Sequence, residues 1–102
     1  MNTFLPIRYR DFWDLPRIFL VDYLDETYLF DCEFDEQTED YSQEYKVYLM
    51  PLISEKDLDK SWKDLYTSSI KLISKVSIYN VEFDETKRKF VNRSVLERIL
   101  IK

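Results

Sequence analysis

The chain has 102 residues, 45% hydrophobic and 17% aromatic, with no Gly, no His, one Cys and a formal charge of −5. That is enough sequence for one domain able to bury ~60–70% of its unfolded surface without staples, and its composition is not that of a disordered chain. One Cys excludes an internal disulfide, the lack of His removes both a Cys/His zinc site and the commonest general base, and the acidic balance argues against phosphate-backbone binding as the main activity.

Residues 1–16 carry Phe4, Leu5, Ile7, Tyr9, Phe12, Trp13 and Leu15, punctuated by Pro6 and Pro16. The prolines disfavour a long helix, so the expectation is an extended lead-in and one helical or irregular turn with its aromatics on the core. An exposed Trp13 anchoring a partner is the alternative. No basic region followed by an apolar core opens the chain, and no apolar run nears the ~20 residues of a membrane span, so a cytoplasmic protein is expected.

Arg17–Leu24 places Ile18, Leu20 and Leu24 on one face and Phe19, Val21 and Tyr23 on the other, the pattern of a central strand. After Asp25-Glu26, the segment Thr27–Phe34 sets Tyr28, Phe30, Cys32 and Phe34 against Thr27, Leu29, Asp31 and Glu33, which predicts a half-buried strand with an acidic outer face. Asp35–Glu44 reads as a loop or as frayed strand ends, and Tyr45–Leu52 as a third strand closed by Pro51. Without Gly, turns at positive φ must use Asn or Asp or be avoided, which favours longer type I loops over tight primed hairpins.

Ser54-Glu55-Lys56-Asp57 has the form of a helix N-cap with an acid three residues on, and predicts a helix from about Glu55 to Tyr66 with Leu58, Trp62 and Leu65 inward. Ile70, Ile73 and Ser77 fit a short second helix, against which stands the β-branched and Ser content of the same stretch. A strand over Ser77–Phe83, a turn at Asp84–Lys87, a strand over Arg88–Val95 and a strand or terminal helix over Val95–Ile101 complete the reading. The expected fold is a single α+β domain over 1–102, ordered β-β-β-α-(α)-β-β, with an antiparallel sheet of about four to five strands and one or two helices packed on one face.

The motif PRIFLVDYLDETYLFDCEFDE followed by YKVYLMPLISEKDL resembles a family of small bacterial domains of unknown function, in which a PRLF strand leads into an aromatic strand, a YLL-x-PIS strand and a capped helix. The resemblance covers about residues 15–60. It implies the strand order already given and brings no catalytic or binding residues.

Three constellations bear on chemistry. Cys32 lies in phase with Tyr28, Phe30 and Phe34, so a buried, inert thiol is expected. A calcium loop beginning at Asp31, with Glu33 and Asp35, fails because Glu36 stands where Gly is needed and Ser42 where a bidentate Glu is needed. Glu85-Thr86-Lys87 with Glu82 or Asp84 matches part of a metal-dependent nuclease signature, although a solvated turn explains the same residues.

The strongest feature is an acidic meander. Between Arg17 and Lys46 there is no basic residue, while Asp22, Asp25, Glu26, Asp31, Glu33, Asp35, Glu36, Glu39, Asp40 and Glu44 accumulate, leaving the remainder of the chain net positive. The plain explanation is a solvated face that charge keeps from pairing edge to edge. The functional one is a surface interleaved with Tyr23, Tyr28, Tyr41, Tyr45 and Tyr48 that steers onto a basic partner.

The expectation is therefore a non-enzymatic protein-interaction module docking Asp31, Glu33, Asp35, Glu36, Glu39, Asp40, Tyr41 and Tyr45 on a basic protein, for example a nucleic-acid enzyme or a toxin. Alternatives are a small metal-dependent nuclease or hydrolase and an antitoxin-like or nucleic-acid-mimicking inhibitor. No cofactor, resident metal, membrane or direct nucleic-acid contact is expected, and Lys87, Arg88, Lys89, Arg93 and Arg98 could pair with the acids of a second copy as a homodimer.

Overall fold

In a computed structural model describing residues 3–52 and 62–100, the doubly apolar stretch after Pro16 becomes a central strand of a six-stranded antiparallel sheet. The strands are β1 Phe4–Trp13, β2 Leu15–Tyr23, β3 Glu26–Asp31, the short pair β4 Phe34–Asp35 and β5 Asp40–Tyr41, β6 Glu44–Met50, β7 Lys71–Ser77 and β8 Phe90–Asn92. Among the described residues two 3₁₀ helices, Trp62–Ser68 and Ile78–Asn80, and one α-helix, α1, Ser94–Leu100, accompany them. The sheet order is β7-β6-β3-β2-β1-β8. This is a meander from which the β4–β5 hairpin projects, and to whose far edge β8 returns beside β1.

Register fixes the two faces. Phe19 lies opposite both Tyr9 and Phe30, and Phe30 opposite Val47, so one row crosses four strands on the first face. There Phe19 stacks on Phe30 at 4.6 Å between centroids, and Tyr45 and Phe83 meet Phe19 edge-on. Val81, Val91, Val95 and Leu96 cover this layer. On the second face Ile18, Leu20, Leu29, Tyr48 and Met50 are buried under Trp62 and Leu65 of the first 3₁₀ helix. Each fully buried side chain of this kind contributes ~1.5–3 kcal/mol of transfer free energy, which is why both covers are needed.

The α+β class and the central strand match the sequence, but several particulars differ. The helices lie on opposite faces of the sheet, because β2 and β3 are apolar on both sides and each side requires a cover. The sheet has six strands, with the β4–β5 pair separate, since the first stretch is a ten-residue strand rather than a lead-in and turn. Residues 71–77 form a strand, as their β-branched content favours, whereas Ile78–Asn80 is a 3₁₀ turn and only Phe83 bridges to Val91. Trp13 is 66% exposed at the tip of the β1–β2 hairpin, beyond the reach of the core that was expected to bury it. The expected helix start, with its Ser54 cap and Leu58, lies outside the described residues. Among the described residues no helix is long and apolar enough to cross a membrane.

The lack of Gly has a structural consequence. Tyr23 and Glu26 close the β2–β3 ladder, so Leu24 and Asp25 form a two-residue loop with φ of 50° and 65°. That is the tight primed hairpin that a glycine-free chain was expected to avoid. A left-handed residue with a Cβ costs roughly 1–2 kcal/mol, and Leu has no side-chain polar group to offset it. Leu24 is 75% exposed, so nothing is lost from the core by changing it. Replacing Leu24→Asn together with Asp25→Gly should stabilise the protein by about 1–2 kcal/mol in chemical denaturation. Unchanged or lowered stability would show that the loop is not strained.

Candidate functional site

Among the described residues the apolar cover of the second face ends in the row of Ile18. Across the ladder from Ile18 that row continues with Asp31 and then Lys46, at the end of β3 where the β4–β5 hairpin leaves the sheet. A cleft of about 360 Å³ opens there, lined by Asp11, Ile18, Asp31, Cys32, Glu33, Phe34, Glu36, Tyr41, Asp64 and Tyr66. Asp11 comes from β1, Asp31 from β3, Glu33 and Glu36 from around the hairpin, and Asp64 from the first 3₁₀ helix. Five carboxylates from separate elements thus share a cleft with three aromatic rings.

Asp31 is unlike the others. It is 4% exposed and its carboxyl accepts no hydrogen bond from another described residue; since no fully buried side-chain oxygen there lacks a partner, its oxygens keep a small opening to the cleft. Burial, reinforced by the charges of Glu33 and Asp11 and only partly opposed by Lys46, raises its pKa to about 6. Its neighbouring cation is engaged elsewhere: Lys46 Nζ lies 2.9 Å from Glu33 Oε1. Arg17 donates from Nη2 to Asp14 Oδ1 at 2.6 Å, from Nε to the Trp13 carbonyl and from Nη1 to Cys32 Sγ, with its guanidinium 4.6 Å from the Tyr41 ring centre.

Cys32 is buried on the first face, and its thiol donates to the Ser42 carbonyl at 2.9 Å. Burial pushes the thiol's pKa up, and the hydrogen bond and charge of Arg17 only moderate that rise, so at neutral pH the group is a protonated thiol.

The expected docking residues separate into three groups. Asp31, Glu33, Glu36 and Tyr41 converge on the cleft. Asp35, Glu39 and Asp40 belong to the hairpin beside it. There Asp35 Oδ1 accepts from the Gln37 N–H, Asp40 Oδ1 accepts from the Tyr41 N–H, and Glu39 holds φ at 55°. Tyr45 is a correction, because it is fully buried between Phe19 and Phe30 and its hydroxyl donates to the Pro16 carbonyl, which leaves it no surface to dock with. The acidic outer face expected for β3 is likewise replaced by a buried Leu29 and Asp31. Nor is the meander wholly uncompensated, since Lys46 pairs with Glu33 and Arg8 with Asp22. Sequence reasoning missed Phe34, which lies within the acidic meander itself, and Asp11, Asp64 and Tyr66, which are near it only in space.

The residues of the nuclease-like signature are occupied otherwise. Asp84 accepts from the Thr86 hydroxyl and from the N–H groups of Thr86, Lys89 and Phe90, and Glu82 Oε1 accepts from Asn92 Nδ2 at 2.8 Å. Slight burial of Asp84 would raise its pKa, but these hydrogen bonds outweigh it and hold the carboxyl at about 2. Among the described residues no group of three or more His, Cys, Asp or Glu side chains is gathered so as to hold a metal ion.

No protein-family model, no curated protein and no solved structure matches the chain.

The raised pKa of Asp31 makes it a cost to the fold. The folded carboxyl keeps its proton up to about pH 6, whereas an unfolded one releases it near pH 3.9. Between these values the folded state binds more protons, so its stability falls as pH rises. Asp31→Asn should therefore stabilise the protein at neutral pH by about 1–2 kcal/mol, somewhat less than the pKa shift alone implies because a buried amide also lacks partners. Comparing denaturation at pH 4 and pH 7 checks the sign: the difference between variant and wild type should shrink at the lower pH. A destabilised variant at pH 7 would contradict the unpartnered carboxylate.

Proposed function

We propose that the protein is a non-enzymatic binding module that docks the acidic aromatic end of its sheet on a basic partner protein. The observation that carries this reading is Asp31, a buried carboxylate without a hydrogen-bond donor among the described residues, at the floor of a cleft lined by further acids. A fold gains nothing from such a group, whereas a cationic ligand supplies both the missing charge and the missing donors. The exposed acids at the rim steer a positive partner toward the cleft, and Phe34, Tyr41 and Tyr66 offer apolar contact once it arrives. A nucleic-acid enzyme or a toxin, whose working surface is basic, is the kind of protein that fits, which makes an inhibitory or antitoxin-like role the natural form of the activity.

The test separates placement of charge from its amount. One double variant, Glu36→Gln with Asp64→Asn, neutralises the rim; another, Asp25→Asn with Glu26→Gln, removes the same charge from the turn at the other end of β3. Association with a synthetic Arg/Ser peptide, followed by stopped flow over a series of salt concentrations, should slow several-fold in the rim variant and lose part of its salt dependence, since exposed charges act over ~8–10 Å. The turn variant should behave as wild type. Equal losses in both would reduce the effect to net charge and overturn the docking reading.

A further inference from the structure

We propose that the cleft is the seat of one arginine side chain of the partner, with the guanidinium on the Asp31 carboxylate and the rings of Phe34, Tyr41 and Tyr66 along its stem and plane. This rests on the docking reading above and adds the identity of the anchor.

Three observations select arginine. The first is the pair of acceptors on Asp31, which is 4% exposed and bonded to no donor among the described residues, although Lys46 lies across the ladder from it. Lys46 is directed to Glu33, so among the described residues no cation bonds the Asp31 carboxyl and the seat is open to one from outside.

The second is size and lining. At about 360 Å³ the cleft is roughly ten times the ~30 Å³ share of one water in the liquid, which is room for a long side chain rather than for a bridging solvent molecule. Acids reach it from three parts of the fold around Asp31, Asp11 from β1, Glu33 and Glu36 from the hairpin and Asp64 from the 3₁₀ helix, yet among the described residues they do not gather into a metal-binding group. A planar cation with five donors can satisfy acceptors spread in this way. A compact ammonium is more strongly hydrated, hence costlier to desolvate, and has fewer donors to share, while a quaternary ammonium would leave the Asp31 oxygens unbonded.

The third is that the protein already solves the same recognition problem once. Arg17, which does not line the cleft, places its guanidinium over the Tyr41 ring and bonds Asp14, so a ring that also lines the cleft already receives a guanidinium beside an aspartate.

The experiment is a titration of the isotope-labelled protein, followed by heteronuclear NMR, with N-acetyl-arginine methylamide, its lysine counterpart, and an Arg/Ser peptide. The arginine probe should give saturable shifts at Ile18, Cys32, Phe34, Tyr41 and Tyr66, with an affinity about tenfold above that of the lysine probe, equivalent to ~1.4 kcal/mol. Asp31→Asn should lower the affinity for the arginine probe at least tenfold with no loss of melting temperature, and Tyr66→Ala should weaken it less. If the single-residue probe fails where the peptide binds with the same dependence on Asp31, the seat needs neighbouring contacts of a polypeptide, which supports a protein rather than a free guanidinium compound as its source. Equal binding of the arginine and lysine probes, or an Asp31→Asn variant that binds arginine as wild type does, overturns the arginine seat. In that case a peptide that still depends on Glu36 and Asp64 leaves the docking reading standing, whereas a peptide that does not bind the wild type at all overturns both.

Discussion

The structure depends on a sheet whose middle strands are apolar on both sides. From Pro16 to Val21 every residue of β2 is buried, and Phe19 and Leu20 point into different layers, each matched across the ladder by Phe30 and Leu29. Such a strand has no solvent face, so the chain must supply two covers. The cover over the first face is broad, formed by Val81, Val91 and the helix residues Val95 and Leu96. Among the described residues the second face has a smaller one, Trp62 and Leu65, and it stops at Ile18. Asp31, the partner of Ile18 across the β2–β3 ladder, is buried in that same row but lines the cleft rather than joining the apolar cluster. The cleft is thus a consequence of unequal cover on the two sides of one sheet.

Two aspartates show how closely a carboxyl's state follows the donors around it. Asp84 sits in a surface loop whose N–H groups and Thr86 hydroxyl converge on it, and it is held at about 2. Its support of the fold is present above the ordinary carboxylate range and is lost as pH falls toward that value. Asp31 has burial without donors and is raised to about 6. One carboxylate organises the turn that returns β8 to the sheet, and the other disfavours the fold in which it sits. Unreturned costs of this sort concentrate at binding sites, where a ligand offsets them. That contrast is why Asp31, rather than the more numerous exposed acids, carries the functional reading.

Much of the framework was legible in the sequence because it rests on local alternation. The two faces of Arg17–Val21, the in-phase Tyr28, Phe30 and Cys32, the end of β6 before Pro51 and the inward positions of Trp62 and Leu65 all follow from period and composition and appear in the structure, whereas Leu24 and Phe34, assigned to the same apolar faces, are exposed. What failed was placement of cover. Periodicity marks Leu29 and Asp31 as one face of β3 but does not reveal that a 3₁₀ helix far along the chain lies over it. Tyr45 was misassigned for the same reason, since an aromatic beside acids reads as surface until its neighbours across the ladder are known. Half of the expected docking residues line the cleft, and the contributions of β1 and the 3₁₀ helix were hidden because they depend on contacts distant in sequence.

Asp11 shows how a glycine-free chain builds such a site. In a regular strand Asp11 would share a face with Tyr9, and Phe12 would lie with Arg10 over the second layer. The residue instead takes φ of 56°, one of six positive values among the described residues, three of them at Asp. Aspartate tolerates this region better than most residues with a side chain. The departure breaks the alternation: Phe12 comes within 5.9 Å of the Tyr9 ring, and Asp11 joins Ile18 and Asp31 at the cleft. A glycine at this position would permit the same backbone but would contribute no carboxylate. Where the backbone must turn beside the cleft, an aspartate therefore serves both the geometry of the hairpin and the charge of the site, and the acidity of the cleft extends into a strand that lies outside the acidic stretch of the sequence.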